Sequence, residues 1–88
     1  MPKVVFITGA AKRIGAEIAR LFHDRGFNVI VHANQSVDAA NRLVEELNEQ
    51  RAHSAAALQA DLTNGEATQN LGECVLPLFN RLDVLINN

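Results

Sequence analysis

Eighty-eight residues, 48% apolar and 20% charged, leave room for one small domain with a core of its own, which excludes a disordered or low-complexity segment. The formal net charge of -2 carries no acidic or basic block, so neither nucleic acid nor a membrane surface is an expected partner. A single cysteine, Cys74, rules out an internal disulfide, and the chain holds neither tyrosine nor tryptophan.

The first apolar run is too short for a signal-peptide core or a membrane span, and a cytoplasmic protein is expected. Lys3 to Thr8 is nearly continuously apolar and bounded by Gly9, which predicts a strand buried on both faces, as parallel sheets require. Beyond a loop of small residues, Ile14, Ile18, Leu21 and Phe22 recur at helical spacing, with Glu17, Arg20 and Asp24 on the other side. Gly26 ends that helix as a C-cap glycine. Phe27 to His32 reads as the second strand. Ser36 or Asp38 caps a second helix whose apolar positions Ala40, Leu43, Val44 and Leu47 share a face and which ends near Gln50. Ser54 to Gln59 is a third strand, weakened by its alanines, and Asp61 to Gly65 a loop. Residues 66 to 81 suit a third helix, bent or shortened by Pro77, and Leu82 to Asn88 a fourth strand. Cys74, among Val75, Leu76 and Leu78, reads as a buried, inert thiol. His23 and His53 fall at no strand's carboxyl end and are expected on the surface; no His, Cys and acid cluster has metal-ligand spacing.

Strands alternating with helices, each crossover long enough for a helix, predict an α/β architecture: an open, doubly wound parallel sheet with helices on both faces. Right-handed crossovers and a ligand site where strand order reverses give the order 3-2-1-4.

The segment "TGAAKRIG", Thr8 to Gly15, lies where the first strand ends and the first helix opens. Its small residues let backbone approach a ligand closely, and the unpaired N–H groups of a helix start favour an anion. Lys12 and Arg13 add a point charge and a fork of donors, which fits a ligand with a phosphate beyond a diphosphate. The plainer alternative is a turn and a close helix–sheet contact at Gly9 and Gly15, with both cations solvated; the flanking strand and helix argue for the binding reading.

On these residues the sequence resembles the short-chain dehydrogenase/reductase family, whose glycine motif is Thr-Gly-x-x-x-Gly-x-Gly. Arg13 stands where the middle glycine normally does, a departure that resembles the pteridine reductase branch, in which the arginine contacts the cofactor phosphates and lies near the pterin. The resemblance runs through "VHANQS", "ADL" and "DVLINN" and so covers the chain. It implies that residues 1–88 are the N-terminal dinucleotide-binding part of a single Rossmann domain, truncated after the fourth strand.

Enzymes of this type that prefer NAD place a carboxylate at the end of the second strand, where it repels a 2′-phosphate. Here that strand ends His32-Ala33-Asn34-Gln35-Ser36, without an acid, so NADP(H) is the expected cofactor. Pteridine reductases usually offer an arginine near Gln35; its absence puts more weight on Arg13 and Ser36. His32 stacks or hydrogen-bonds to the cofactor in this reading, or is a structural histidine at a strand end. By resemblance Asp61 accepts from the adenine amino group and Leu62 lies beside the ring, the alternative for Asp61 being a helix or loop cap. Asn87 and Asn88 match the family's Asn-Asn pair, the second bordering the cofactor, the alternative being solvated residues at a strand end. The cofactor set is thus Gly9, Lys12, Arg13, Ile14, Gly15, His32, Asn34, Gln35, Ser36, Asp61, Leu62, Asn87 and Asn88, with Arg13 also facing substrate.

The family transfers hydride between NADP(H) and an unsaturated substrate with a Tyr-x-x-x-Lys pair, in which the lysine lowers the tyrosine pKa and the tyrosine handles the proton. A chain without tyrosine holds none of that pair, so no catalytic residue is assigned within it. The expectation is the NADPH-binding part of a reductase acting on dihydropteridine or dihydrofolate-type substrates and working, at full length, as a homo-oligomer. Two alternatives are a short-chain reductase of another substrate class, carbonyl or acyl, and a non-catalytic nucleotide-binding module.

Overall fold

A computed structural model describes residues 2–10, 13–59, 79 and 81–86. In chain order these form β1 (Val4–Ile7), α1 (Arg13–Asp24), β2 (Asn28–Ala33), α2 (Val37–Gln50), β3 (Ala55–Gln59) and β4 (Val84–Ile86). The four strands make one sheet in the order β3-β2-β1-β4, every pair parallel. This is the first half of a Rossmann-type fold, with the strand order that the alternation of elements predicts. Of the expected third helix, residues 66–78 and 80 lie outside the described residues, and with them Cys74 and Pro77.

Strand residues alternate between two apolar layers. Val5, Ile7, Val29, Val31 and Ala55 pack against Ala16 and Ala19 of α1 and Ala40, Leu43 and Leu47 of α2. Val4, Phe6 and Ile30 form the opposite layer, with Leu58 and Phe79 against them. All four residues of β1 are buried, which is why its sequence is an unbroken apolar run rather than an alternating one. At the outer strand, Leu85 stays 58% exposed.

Helix α2 buries the face expected of it, Ala40, Leu43 and Leu47, with Val44 packed alongside. Ser36 holds its N-cap position, yet the side chain makes no capping hydrogen bond. In α1 the buried residues are Gly15, Ala16, Ala19 and His23, whereas Ile14 and Leu21, expected in the apolar stripe, are 70% and 53% exposed. Small side chains bring this helix close over β1 and β2, and the larger Ile18 and Phe22 fit only at the flanks of the contact. His23 follows Ala16 and Ala19 at helical spacing and is therefore carried inward, not onto the surface; His53 is exposed, in a turn at φ 58°.

The N-terminal edge of the sheet is held by side chains. Gly26, at φ 94°, ends α1 in a Schellman motif: its N–H donates to the His23 carbonyl at 3.0 Å and Phe27 N–H to the Phe22 carbonyl at 3.1 Å. The Phe22 and Phe27 rings meet edge to face at 4.9 Å, the apolar contact that accompanies this cap. The Arg51 guanidinium donates to the carbonyls of His23 and Phe27, at 3.1 and 2.6 Å. Asn48 of α2 accepts from the N–H groups of Ser54 and Ala55 at 2.9 and 3.0 Å and donates to the Ala55 carbonyl at 3.1 Å. Beside β4, the Asp83 carboxylate accepts from Val4 N–H at 2.8 Å and from Arg81 at 2.8 and 2.6 Å. Arg81, and then the Val4 N–H, hold that carboxyl below its ordinary pKa.

Candidate cofactor site

At the opposite, carboxyl edge, β1 and β2 end together and the chain turns into α1 and α2. Thr8 N–H donates to the Ile86 carbonyl at 3.0 Å, extending the β1–β4 ladder one residue past the strand. Gly9 then takes φ 61°, a left-handed conformation that glycine adopts without a Cβ clash. Its N–H donates to His32 Nδ1 at 2.9 Å, and the next N–H, that of the fully buried Ala10, donates to the His32 carbonyl at 3.0 Å. His32 is itself buried, its ring 6.0 Å from that of Phe6.

The first two N–H groups of the loop are therefore engaged within the protein. Among the described residues, those left for an anion belong to the opening turn of α1, Arg13, Ile14 and Gly15, whose first N–H groups have no partner inside a helix. Arg13 opens α1 at φ 54°. This left-handed geometry explains why the motif normally has glycine at that position; any other L-residue costs about 1–2 kcal/mol there. Its side chain is exposed, and among the described residues no carboxylate pairs with it. Gly15 is buried against the sheet, and Ile14 stands exposed at the mouth of the turn.

On the same edge, β2 is followed by Asn34 and Gln35, both exposed, and the half-buried Ser36. Gln59 at the end of β3 donates to the Asn34 carbonyl at 3.3 Å. The nearest acid along the chain is Asp38, exposed in the first turn of α2. The edge thus offers helix-start N–H groups, a guanidinium, and amide and hydroxyl side chains, with no carboxylate from His32 to Val37. That donor set fits the phosphates of a dinucleotide.

Of the residues singled out in the sequence, Gly9, Arg13, Ile14, Gly15, His32, Asn34, Gln35 and Ser36 share this edge. Lys12, Asp61, Leu62, Asn87 and Asn88 lie outside the described residues. Sequence reasoning missed the anchoring of Thr8 on β4 and the double use of His32. The signal for the latter was its parity with Ile30, which puts its side chain in the buried layer of Phe6. A separate apolar groove, lined by Leu21, Phe22, Arg25 and Phe27, lies at the far end of α1, away from this edge.

A family model described as short chain dehydrogenase matches residues 3–88. The chain is 37% identical over 87 residues to a pteridine reductase 1 of Leishmania tarentolae, an alignment covering 96% of this chain and 30% of that protein. It is 35% identical over 88 residues to a 3-oxoacyl-[acyl-carrier-protein] reductase of Staphylococcus epidermidis, covering 100% of this chain and 36% of that one. Over 86 residues it is 37% identical to a versicolorin reductase 1 of Aspergillus parasiticus, covering 98% and 32%. The chain spans about a third of the length of these curated relatives.

Proposed function

The chain belongs to the short-chain dehydrogenase family, and from that premise we propose that it forms the NADPH-binding part of a cytoplasmic, homo-oligomeric reductase acting on dihydropteridine or dihydrofolate-type substrates. The observation that carries this reading is an exposed Arg13, at a backbone geometry made for glycine, on the same sheet edge as a β2 end without a carboxylate. Backbone strain of this kind at Arg13 supports a functional role for its side chain. The guanidinium supplies a planar fork for phosphate oxygens, the first N–H groups of α1 meet the diphosphate, and Asn34, Gln35 and Ser36 border the adenosine ribose without repelling a 2′-phosphate. Lys12 adds a second cation, Asp61 and Leu62 hold the adenine, Asn88 borders the cofactor and Asn87 supports the central sheet.

When bound, NADPH supplies the hydride. The residues of this chain orient it and exclude the wrong cofactor; with no tyrosine among them, the proton comes from a group outside residues 1–88. Arg13 also borders the substrate in this reading, and the likeness to a pteridine reductase supports a pterin. Relatives of comparable identity named for 3-oxoacyl and versicolorin reduction support a second reading, a reductase of another carbonyl class. The test is NADPH oxidation by the whole protein with a dihydropteridine and, separately, a 3-oxoacyl thioester. Turnover with the pterin supports the first reading, and turnover with the thioester alone supports the second. Binding of NADPH without turnover on either would favour a nucleotide-binding module.

A further inference from the structure

Parallel pairing leaves the turn after β1 with a problem. Gly9 and Ala10 present consecutive N–H groups to β2, but consecutive carbonyls of a strand point to opposite sides, so a single backbone position meets only one of them. His32 meets both: its carbonyl accepts from Ala10 at 3.0 Å, and its side chain accepts from Gly9 at 2.9 Å. The ring lies in the layer of Phe6 and is 5% exposed at the residue level, so packing as well as hydrogen bonding fixes it. A ring nitrogen that accepts from an N–H must carry a lone pair, which assigns the hydrogen of the neutral imidazole to Nε2.

We infer that His32 is a positioning residue for the glycine turn: by accepting the Gly9 N–H at Nδ1 it holds the left-handed turn that aims the start of α1 at the cofactor phosphates. The effect passes through Gly9, not through contact with the cofactor, and it rests on the NADPH reading above. Asparagine places an amide oxygen close to where Nδ1 stands, whereas leucine fills the space with no acceptor.

Three measurements on the whole protein test this. Nitrogen-15 NMR of the unmodified protein should show His32 Nδ1 without a hydrogen and the Gly9 amide protected from exchange. His32→Leu should weaken NADPH binding by roughly tenfold or more and speed Gly9 exchange, as expected when a part-buried hydrogen bond loses its acceptor. His32→Asn should recover most of both. A hydrogen on Nδ1, equal losses in the two variants, or unchanged Gly9 exchange in His32→Leu would each overturn the assignment. Failure of the unmodified protein to bind NADPH would sink the cofactor reading instead, leaving the tautomer and the Gly9 exchange to decide the role of His32 in the turn.

Discussion

His23 and Ser54 are joined by a 2.6 Å hydrogen bond between Nε2 and Oγ, both residues buried where α1 ends and β3 begins. Ser54 Oγ donates to the Arg51 carbonyl, so it receives the Nε2 hydrogen of a neutral His23. Burial, and then the Arg51 cation, lower the His23 pKa below its ordinary 6.5.

A histidine with a lowered folded-state pKa binds fewer protons folded than unfolded between that pKa and 6.5, so stability rises with pH in this window. The stabilisation is complete above 6.5 and is lost as pH falls toward the folded value. Urea unfolding at pH 5, 6, 7 and 8 should therefore show a midpoint that drops on the acid side. In His23→Gln, which keeps a donor but does not titrate, the drop should shrink; an identical acid slope in both proteins would refute the assignment.

Arg13→Gly should separate stability from binding. Removing the left-handed arginine relieves about 1 kcal/mol of backbone strain, so the thermal midpoint should rise. Loss of a charge-assisted contact worth about 1.5–3 kcal/mol should lower NADPH affinity by one to two decades. NADH affinity should fall much less. Arg13→Ala loses the contact and keeps the strain, so it should weaken NADPH binding without the gain in stability. Equal losses for both cofactors would place the arginine on the shared diphosphate or on the substrate.

Asn34→Asp tests the missing carboxylate. Asn34 is exposed, unlike the buried Ala33 beside it, so an acid there needs no desolvation. The ratio of NADPH to NADH affinity, measured by calorimetry, should fall by roughly tenfold or more at low salt through repulsion of the 2′-phosphate, and recover partly as salt screens it.

Asn48→Ala should destabilise the chain by about 1–3 kcal/mol, because the two N–H groups at the start of β3 lose their shared acceptor. Asn48→Asp keeps the acceptors and loses only the donor to the Ala55 carbonyl, so its shift in denaturation midpoint should be smaller.

The strands and α2 were legible in the sequence because their burial follows size and period: β1 is an apolar run, and Ala40, Leu43 and Leu47 repeat at helical spacing. The face of α1 was not. Its inward residues are glycine and alanine, which give no hydrophobic signal, while the large Ile14 and Leu21 point outward. The same rotation hid His23. At the site, the glycines, the arginine and the missing acid were visible as residue types. The left-handed Arg13 and the Gly9–His32 bond were not, since one is a backbone torsion and the other joins residues 23 apart through the sheet register.

The two edges of the sheet are built by different means. At the N-terminal edge Asn48, Arg51, Ser54 and Asp83 lock helix ends and strand starts together through side chains. At the carboxyl edge, among the described residues, the His32 side chain anchors the turn and Thr8 Oγ1 donates to the Ile86 carbonyl at 3.4 Å, while Arg13, Asn34 and Gln35 stand outward. Substitutions at the outward Asn34 and Gln35 are therefore expected to leave the hydrogen bonds that hold both edges in place. Changes in ligand choice are expected to fall on one rim of the sheet, apart from the side chains that hold the opposite rim together.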